Sequence, residues 1–389
     1  MCGVGLSWHR NGADKRAVVD RMQRLLRGLA ARRRVRHAVV GVASADGSWS
    51  WSGASGEATP SGVALRTDMA WFLASVTKLY IATVVLRLYE RGLGDLDAPI
   101  SVYLPGELSA GLHVLHGVDH SGQITPVHLL GHLSGLPDSL DERPPGGRSL
   151  VERFVEDDDC AWSLEEAIVL ARDKLTPHFP PSPPDAAKPR IRYSDTNFQL
   201  LMAIAQRVSG RSMQGLYRDL LFEPLGLSHT WLPGDQPGKP VDGPATVWFG
   251  DRPLVDRPLA MQSIGDLYST IDDVLRFGCA FFSGETFDDP ATLGLMQGRF
   301  NRFGFPRGLA SLRAPSWPIE YGLGMMRFGV SRALNLGRRV PGLVGHTGST
   351  GSWLWHSPEL GLVLAGTVDQ ATAATVPFRS VPRAVAGLA

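Results

Sequence analysis

Apolar positions recur at helical spacing over residues 17–31, where Val18, Met22, Leu25, Leu26 and Leu29 share one face and arginines the other. This predicts a surface helix whose basic side is solvated rather than a nucleic-acid patch. Two strand-like runs follow at 38–44 and 48–53, joined by Ala45-Asp46-Gly47. Asp-Gly between such runs signals a hairpin and the start of an antiparallel sheet. Leu73 to Arg91 reads as a long apolar helix stopped by Gly92-Leu93-Gly94-Asp95. From about residue 125 to 300 the pattern is mainly helical with irregular connections. The proline-rich run from Pro177 to Pro184 must be extended or turning, as a loop feeding a site or a surface lid. Near the end, 343–347, 352–356 and 361–368 are strand candidates separated by Gly348-Ser349-Thr350-Gly351 and Ser357-Pro358-Glu359.

Strands at both ends with helices between them predict an α+β fold, one antiparallel sheet flanked by helices and split in sequence by a helical insertion. The corresponding organisation is a flexible N-terminus at 1–16, an α/β unit made of 17–99 and 301–389, and a mainly helical unit over 100–300.

Composition narrows the function classes. With 39 Lys and Arg against 38 Asp and Glu, the net charge of +1 gives no field for steering nucleic acid or an anionic membrane, so the expected partner is a small molecule. Cys2, Cys160 and Cys279 are far apart and form no CxxC pair, which argues against a zinc knuckle or a disulfide framework and fits a reducing compartment. No apolar run approaches the roughly 18 residues of a membrane span. Arg32-Arg33-Arg34-Val35-Arg36 before Ala38–Ala43 imitates an export signal, but it lies too deep for a leader of about 15–30 residues. The expected location is cytoplasmic, with no cofactor and no metal, and self-association stays open.

Three short motifs carry candidate chemistry. Ser75-Val76-Thr77-Lys78 is an S-x-x-K motif at a helix start, and i,i+3 spacing places hydroxyl and amine on one face. Ser75 is a poor nucleophile alone; Lys78 can take its proton if the local field lowers the amine's proton affinity. Tyr193-Ser194-Asp195-Thr196-Asn197 follows the proline-rich loop and opens an apolar helix. Tyr193 can act as a general base if neighbouring cations hold down its pKa from about 10, whereas the structural alternative is a packed Tyr with Asp195 or Thr196 as helix cap. His346-Thr347-Gly348-Ser349 lies on an expected edge strand, where the Ser349 amide could join that of Ser75 in an oxyanion hole; the alternative is a plain glycine-rich turn.

Together and in this order, the three motifs resemble those of the serine β-lactamase and penicillin-binding-protein superfamily, in the branch that holds class C β-lactamases, D-alanyl-D-alanine carboxypeptidases and related esterases. Ile124 through Pro137, with His128, His132 and Ser134-Gly135-Leu136-Pro137, resembles a further family segment. So do Leu221–Leu227, Leu267–Thr270, Tyr321–Met325 and Gly345–Gly348, which extends the likeness over 17–389. The resemblance implies that Ser75 attacks a carbonyl, Lys78 and Tyr193 share the proton work, the Ser75 and Ser349 amides hold the oxyanion, and water releases the acyl group. Asp195, His346, Thr347 and Gly348 would support the substrate. His128 and His132 stand four apart like a helical metal pair but lack the Glu that zinc proteases place beside the first His, so they read as structural. His346 is left as the one histidine expected in the cleft. Met1-Cys2-Gly3 resembles the start of glutamine amidotransferases, whose terminal Cys is the nucleophile, but nothing else of that domain is recognisable.

Two departures shape the substrate expectation. The family commonly has Asn where this chain has Asp195, and an ionised carboxylate accepts hydrogen bonds without donating any, so Asp195 more naturally pairs with Lys78. Class C enzymes carry Lys where this chain has His346, and a neutral imidazole grips a substrate carboxylate less firmly than an ammonium. Both favour ester or amide cleavage, as by a carboxylesterase, over efficient β-lactam hydrolysis. The alternatives are a β-lactamase or a D-alanyl-D-alanine carboxypeptidase or D-amino-acid peptidase, which would normally work outside the inner membrane, and a non-catalytic penicillin-binding relative, against which the presence of Ser75, Lys78 and Tyr193 argues.

Overall fold

The computed structural model describes residues 14–156, 159–236, 243–304, 318–329, 340–386 and 388. The first helix, α1, runs Lys15–Ala30, two residues earlier than the apolar pattern suggests, because the Asp14 carboxylate caps it by accepting from the Arg16 amide at 3.0 Å. Lys15 and Arg16 are therefore helical rather than part of a flexible end; Cys2 and its neighbours lie outside the described residues.

Strands β1 (His37–Ser44) and β2 (Ser50–Gly56) form the expected hairpin, with Val40 opposite Gly53. Its turn holds Gly47 at φ 69°, a conformation that costs a residue with a Cβ, while Asp46 accepts from the Ser48 amide. The later strands are β3 (Asn301–Arg302), β4 (Ile319–Tyr321), β5 (Met326–Phe328), β6 (Leu343–Thr347), β7 (Trp353–Ser357) and β8 (Leu362–Thr367). One sheet joins all eight in the order β3-β4-β5-β6-β7-β8-β1-β2, every neighbour antiparallel. Val42 stands opposite Leu364, so the first and last strands meet inside the sheet as expected. Strands β3, β4 and β5 are absent from the sequence expectation because two or three residues are too few for a period-2 pattern to show. Their presence corrects the placement of His346: β6 is an interior strand between β5 and β7, not an edge.

The sheet is buried on both faces. Ala38, Val40 and Val42 pack with Val18, Met22 and Leu29 of α1 and with Val381 of the C-terminal helix Val376–Val385. Val39 points the other way, into a second core with Ile271 and Leu275 of the helix Ile271–Ser283. This is why β1 reads as a continuous apolar run, each fully buried aliphatic side chain contributing about 1.5–3 kcal/mol. The second core extends into the helical part, where α2 (Thr77–Glu90) packs on α3 (Asp195–Ser209), and Tyr80 stacks on Phe277 with centroids 3.6 Å apart. The Ser75–Lys78 segment lies where the sheet and the helical part meet, with the Ala74–Val76 turn and α2 against β6. No described helix is long and apolar enough to cross a membrane.

Candidate active site

Ser75 occupies a short 3₁₀ turn, Ala74–Val76, that feeds α2, rather than the α-helix itself. Ala74, just before it, has φ 47°, a left-handed conformation that an L-residue adopts only under constraint from its surroundings. The constraint is visible on both sides. The Leu73 amide donates to the Leu267 carbonyl at 2.8 Å, and the Leu73 carbonyl accepts from the Ser352 hydroxyl at 2.7 Å. Gly348 then closes on the same turn: a Cβ there would come within 2.8 Å of the Leu73 carbonyl and of Ala74, so only glycine lets β6 end against the turn that holds Ser75. Ser349 follows, exposed in the turn after β6.

Lys78 lies in the first turn of α2 and is only 3% exposed. Its Nζ donates to Ser75 Oγ at 3.2 Å and to Asp195 Oδ1 in a short ion pair. The Tyr193 and Phe198 rings flank the ammonium at 5.1 and 5.3 Å. Burial works against its charge, but Asp195 and then Asp266 outweigh burial and hold the Lys78 pKa above its ordinary value. Tyr193 is moved in the same direction, chiefly by burial and then by Asp195; its hydroxyl is buried without a hydrogen-bond partner among the described residues, and the Ser75 hydroxyl is the neighbour that eases its ionisation. At rest the pair is an ammonium and a phenol, so neither group stands in the base form that the sequence motifs call for.

His346 is fully buried. Its Nδ1 donates to the Thr347 carbonyl at 2.8 Å, which leaves Nε2 to accept from the Tyr321 hydroxyl at 3.0 Å. Burial, aided by Lys78, lowers its pKa to about 3, so the ring is neutral and both nitrogens are engaged. The Thr347 hydroxyl likewise turns toward the Met326 sulfur at 3.8 Å. Neither side chain offers a free polar group to a ligand, which departs from their reading as substrate contacts.

The His346 ring lies 6.3 Å from that of Tyr193, and His132 is a second histidine beside Lys78 and Tyr193, where the sequence reading expects His346 alone. Fully buried and at φ 55°, its ring lies 4.4 Å from that of Tyr193 and 4.5 Å from that of Tyr321. Its Nδ1 accepts from the Ser194 amide at 3.3 Å and from Asn197 Nδ2 at 2.9 Å, which fixes the Nε2–H tautomer. The rest of its segment is stitched to the start of α3 in the same way. Ser134 donates to Asn197 Oδ1, Ser194 and Thr196 both donate to the Pro137 carbonyl, and the Asp138 carboxyl accepts from the Asp195 amide at 3.1 Å. Segment 131–139 is thus the frame that holds Tyr193 and Asp195 toward Lys78. Spacing alone could not reveal this, since the groups His132 meets at the site, Tyr193, Ser194, Asn197 and Tyr321, are all far along the chain.

Asp266 also lies outside the three motifs. Half-buried beside α2 and facing Lys78, it has a pKa pushed up to about 7, by burial first, with Lys78 opposing and Asp195 adding to the rise. The adjacent Leu267 amide donates to the Thr77 hydroxyl at 3.0 Å, which anchors the segment to the start of α2. Among the described residues, no cluster of His, Cys, Asp and Glu is arranged to hold a metal ion.

The Beta-lactamase family profile matches residues 22–381. The chain belongs to the Beta-lactamase family. Within that family it is similar to "Penicillin-binding protein 4" of Amycolatopsis lactamdurans, 32% identical over 43% of this chain and 37% of the relative. The chain spans between 31 and 48% of the length of the first four curated relatives it matches. Among solved structures it is similar to a D-amino acid amidase from Ochrobactrum anthropi SV3, with TM-score 0.73 and 22% identity over 95% of this chain and 99% of the other. It is also similar to EstCE1, "a hydrolase with promiscuous acyltransferase activity", with TM-score 0.71 and 21% identity over 96% and 99% of the two chains. These two likenesses establish the Beta-lactamase fold over 95–96% of the chain.

Proposed function

We propose that this Beta-lactamase family member is a cytoplasmic serine hydrolase that cleaves a small ester or amide through an acyl-enzyme, most nearly a carboxylesterase. The observation that carries the reading is the 3.2 Å contact between Ser75 Oγ and a buried Lys78 on a strained turn. A hydroxyl held against an ionisable amine, beside the turn that ends β6, is the arrangement that acyl transfer needs. Ser75 attacks the carbonyl, Lys78 and Tyr193 handle the proton, the Ser75 and Ser349 amides receive the oxyanion, and water completes the cycle. Asp195 and the Thr347-Gly348 turn shape the pocket around the nucleophile.

Ester or amide is favoured over β-lactam because His346 is neutral and has both nitrogens occupied, which leaves no cation at this position of β6 to grip a substrate carboxylate. The likeness to a D-amino acid amidase along 95% of the chain supports a second reading, a D-amino-acid amidase or carboxypeptidase using the same residues. The cytoplasmic location is supported by Cys160 and Cys279, both free thiols.

Labelling with a fluorophosphonate tests the nucleophile. Wild-type protein should be labelled and Ser75→Ala should not, with an unchanged thermal melt, since the lost hydroxyl is half-buried and small. Labelling that persists in Ser75→Ala and moves to Cys2 would reject the reading. A wild-type enzyme with higher kcat/KM for nitrocefin than for p-nitrophenyl acetate or butyrate would replace the ester reading with a β-lactamase.

A further inference from the structure

Both groups assigned to the proton work are protonated at rest, so neither Lys78 nor Tyr193 is a free base beside Ser75. Lys78 Nζ holds two oxygen partners, Ser75 Oγ and Asp195 Oδ1. Asp195 is the carboxylate hydrogen-bonded to it among the described residues, and the two side chains are 4% and 18% exposed, so solvent screens their coupling little. We propose that Asp195 is the terminal proton acceptor of acylation, working through Lys78, so that the base of this enzyme is the ion pair and not the lysine alone. The inference rests on Ser75 being the nucleophile and deepens that reading.

The step balances within the residues present. Lys78 passes one of its protons to Asp195 Oδ1 and, with the lone pair this frees, takes the proton of the Ser75 hydroxyl. Ser75 Oγ forms its bond to the substrate carbonyl carbon as the carbonyl π pair moves to oxygen. When the tetrahedral species collapses and the bond to the leaving alkoxide or amide nitrogen breaks, the leaving atom takes a proton from Lys78 and Asp195 returns its own to the amine. Lysine stays charged before and after, and no proton is exchanged with water.

Other groups face Lys78 and do not fill this role. Asp266 acts on it through space from the segment before Tyr268, without a hydrogen bond to Nζ. Tyr193, Tyr217 and Tyr321 are phenols held protonated by burial, and His132 and His346 are imidazoles held neutral by it. Both imidazoles direct their acceptor nitrogens at other partners. Asp138 touches the Asp195 backbone amide, not Lys78, and burial followed by Asp195 pushes its carboxyl well up. The sequence departure from Asn to Asp at this position is thereby given a chemical use: an amide could hold Lys78 but could not take its proton.

The test is the pH profile of kcat/KM for p-nitrophenyl butyrate between pH 5 and 10, measured on wild type, Asp195→Asn and Asp195→Ala, each checked for folding by its thermal melt. In both variants Lys78 must lose a proton to solvent before it can act. The acid limb should therefore move to higher pH by more than about one unit, because it then reports the loss of a proton from an ammonium, whose ordinary pKa of about 10.4 lies far above that of a carboxylate. Activity near neutrality should fall at least about tenfold and recover at high pH, and formate should restore part of the neutral-pH rate to Asp195→Ala but not to Asp195→Asn. An acid limb that stays at the wild-type position in both variants, whatever their absolute rates, overturns the proposal by reducing Asp195 to a positioning or substrate contact. So does loss of turnover at every pH, because a lysine freed of its partner should still work when deprotonated. Neither result touches the nucleophile assignment, which stands or falls with the labelling of Ser75.

Discussion

At the scale of single residues, the nucleophile role proposed for Ser75 requires groups that act as one. Lys78→Ala and Tyr193→Phe should each lower the acylation rate by at least ~10²-fold, the lower end of general acid–base contributions. Their effects should not add: the Tyr193 ring flanks the Lys78 ammonium that carries the proton, so without Lys78 it has no transfer left to assist, and the double variant should resemble the worse single one in a burst-phase assay. Rates that multiply would mean that the two groups serve separate steps. These residues are legible in the sequence because hydroxyl and amine three apart on a helix start, and a Tyr at the opening of another helix, are local patterns. Their protonation states are not. An S-x-x-K motif suggests an amine that gives up its proton, yet the Lys78 pKa is raised because two carboxylates arrive from residues 195 and 266, far along the chain. His132 is hidden for the same reason. Its spacing from His128 can be read from the sequence, while its packing against Tyr193 follows from how two distant segments fold together.

At the scale of elements, segment 131–139 and the first turn of α3 form a polar lattice. Asn197 is its central member: fully buried, it donates to His132 and accepts from Ser134. Asn197→Ala should strand both partners and cost about 1–3 kcal/mol per group left unpaired, read as a lower urea midpoint. It should also lower kcat, since Tyr193 and Asp195 would lose their frame. An isosteric Asn197→Asp should keep the volume but put an acceptor where His132 Nδ1 needs a donor, and so should destabilise as well. Gly348→Ala is expected to depress kcat more than stability, because the turn can yield by moving off Leu73 and Ala74, taking Ser349 with it. A variant of Gly348 with wild-type kcat would show that the close approach does not set the site. The frame explains why a Thr-Pro, His and Ser-Gly-Leu-Pro pattern stands out in the chain on its own: its capping residues and turn residues are chemically specific. The short strands β3 to β5 carry no such signal, since they are strands by virtue of the neighbours they pair with, ultimately β6, rather than any pattern of their own.

Across the whole molecule, buried titratable groups of opposite kind set how stability responds to pH. Burial lowers the His346 pKa to about 3 and that of His356, stacked on Phe282, to about 4. An unfolded chain binds protons at these rings from pH ~6.5 downward while the folded chain does not. Their contribution to stability is thus complete above about pH 6.5 and is lost progressively as the pH falls toward 4 and 3. Asp266 has the reverse sign. Its pKa is raised to about 7, so its contribution is fully present below pH ~3.9, where the carboxyl is protonated in both states, and is lost as the pH rises through 7. Between about pH 4 and 7 the two slopes oppose each other, so the wild-type stability curve should be flatter than either group alone would make it. Removing one side should uncover the other. His356→Phe keeps the ring against Phe282 and should raise the melting temperature at pH 5 relative to wild type by more than at pH 8, with a gain of about 2 kcal/mol at pH 5 from the lost proton linkage. Asp266→Asn should do the converse, stabilising at pH 8 and changing little at pH 4. Melting curves collected at pH 4, 5, 6.5 and 8 on the three proteins separate these outcomes. If both variants shifted the melt equally at every pH, burial of these groups would not govern the acid and alkaline limits of the fold.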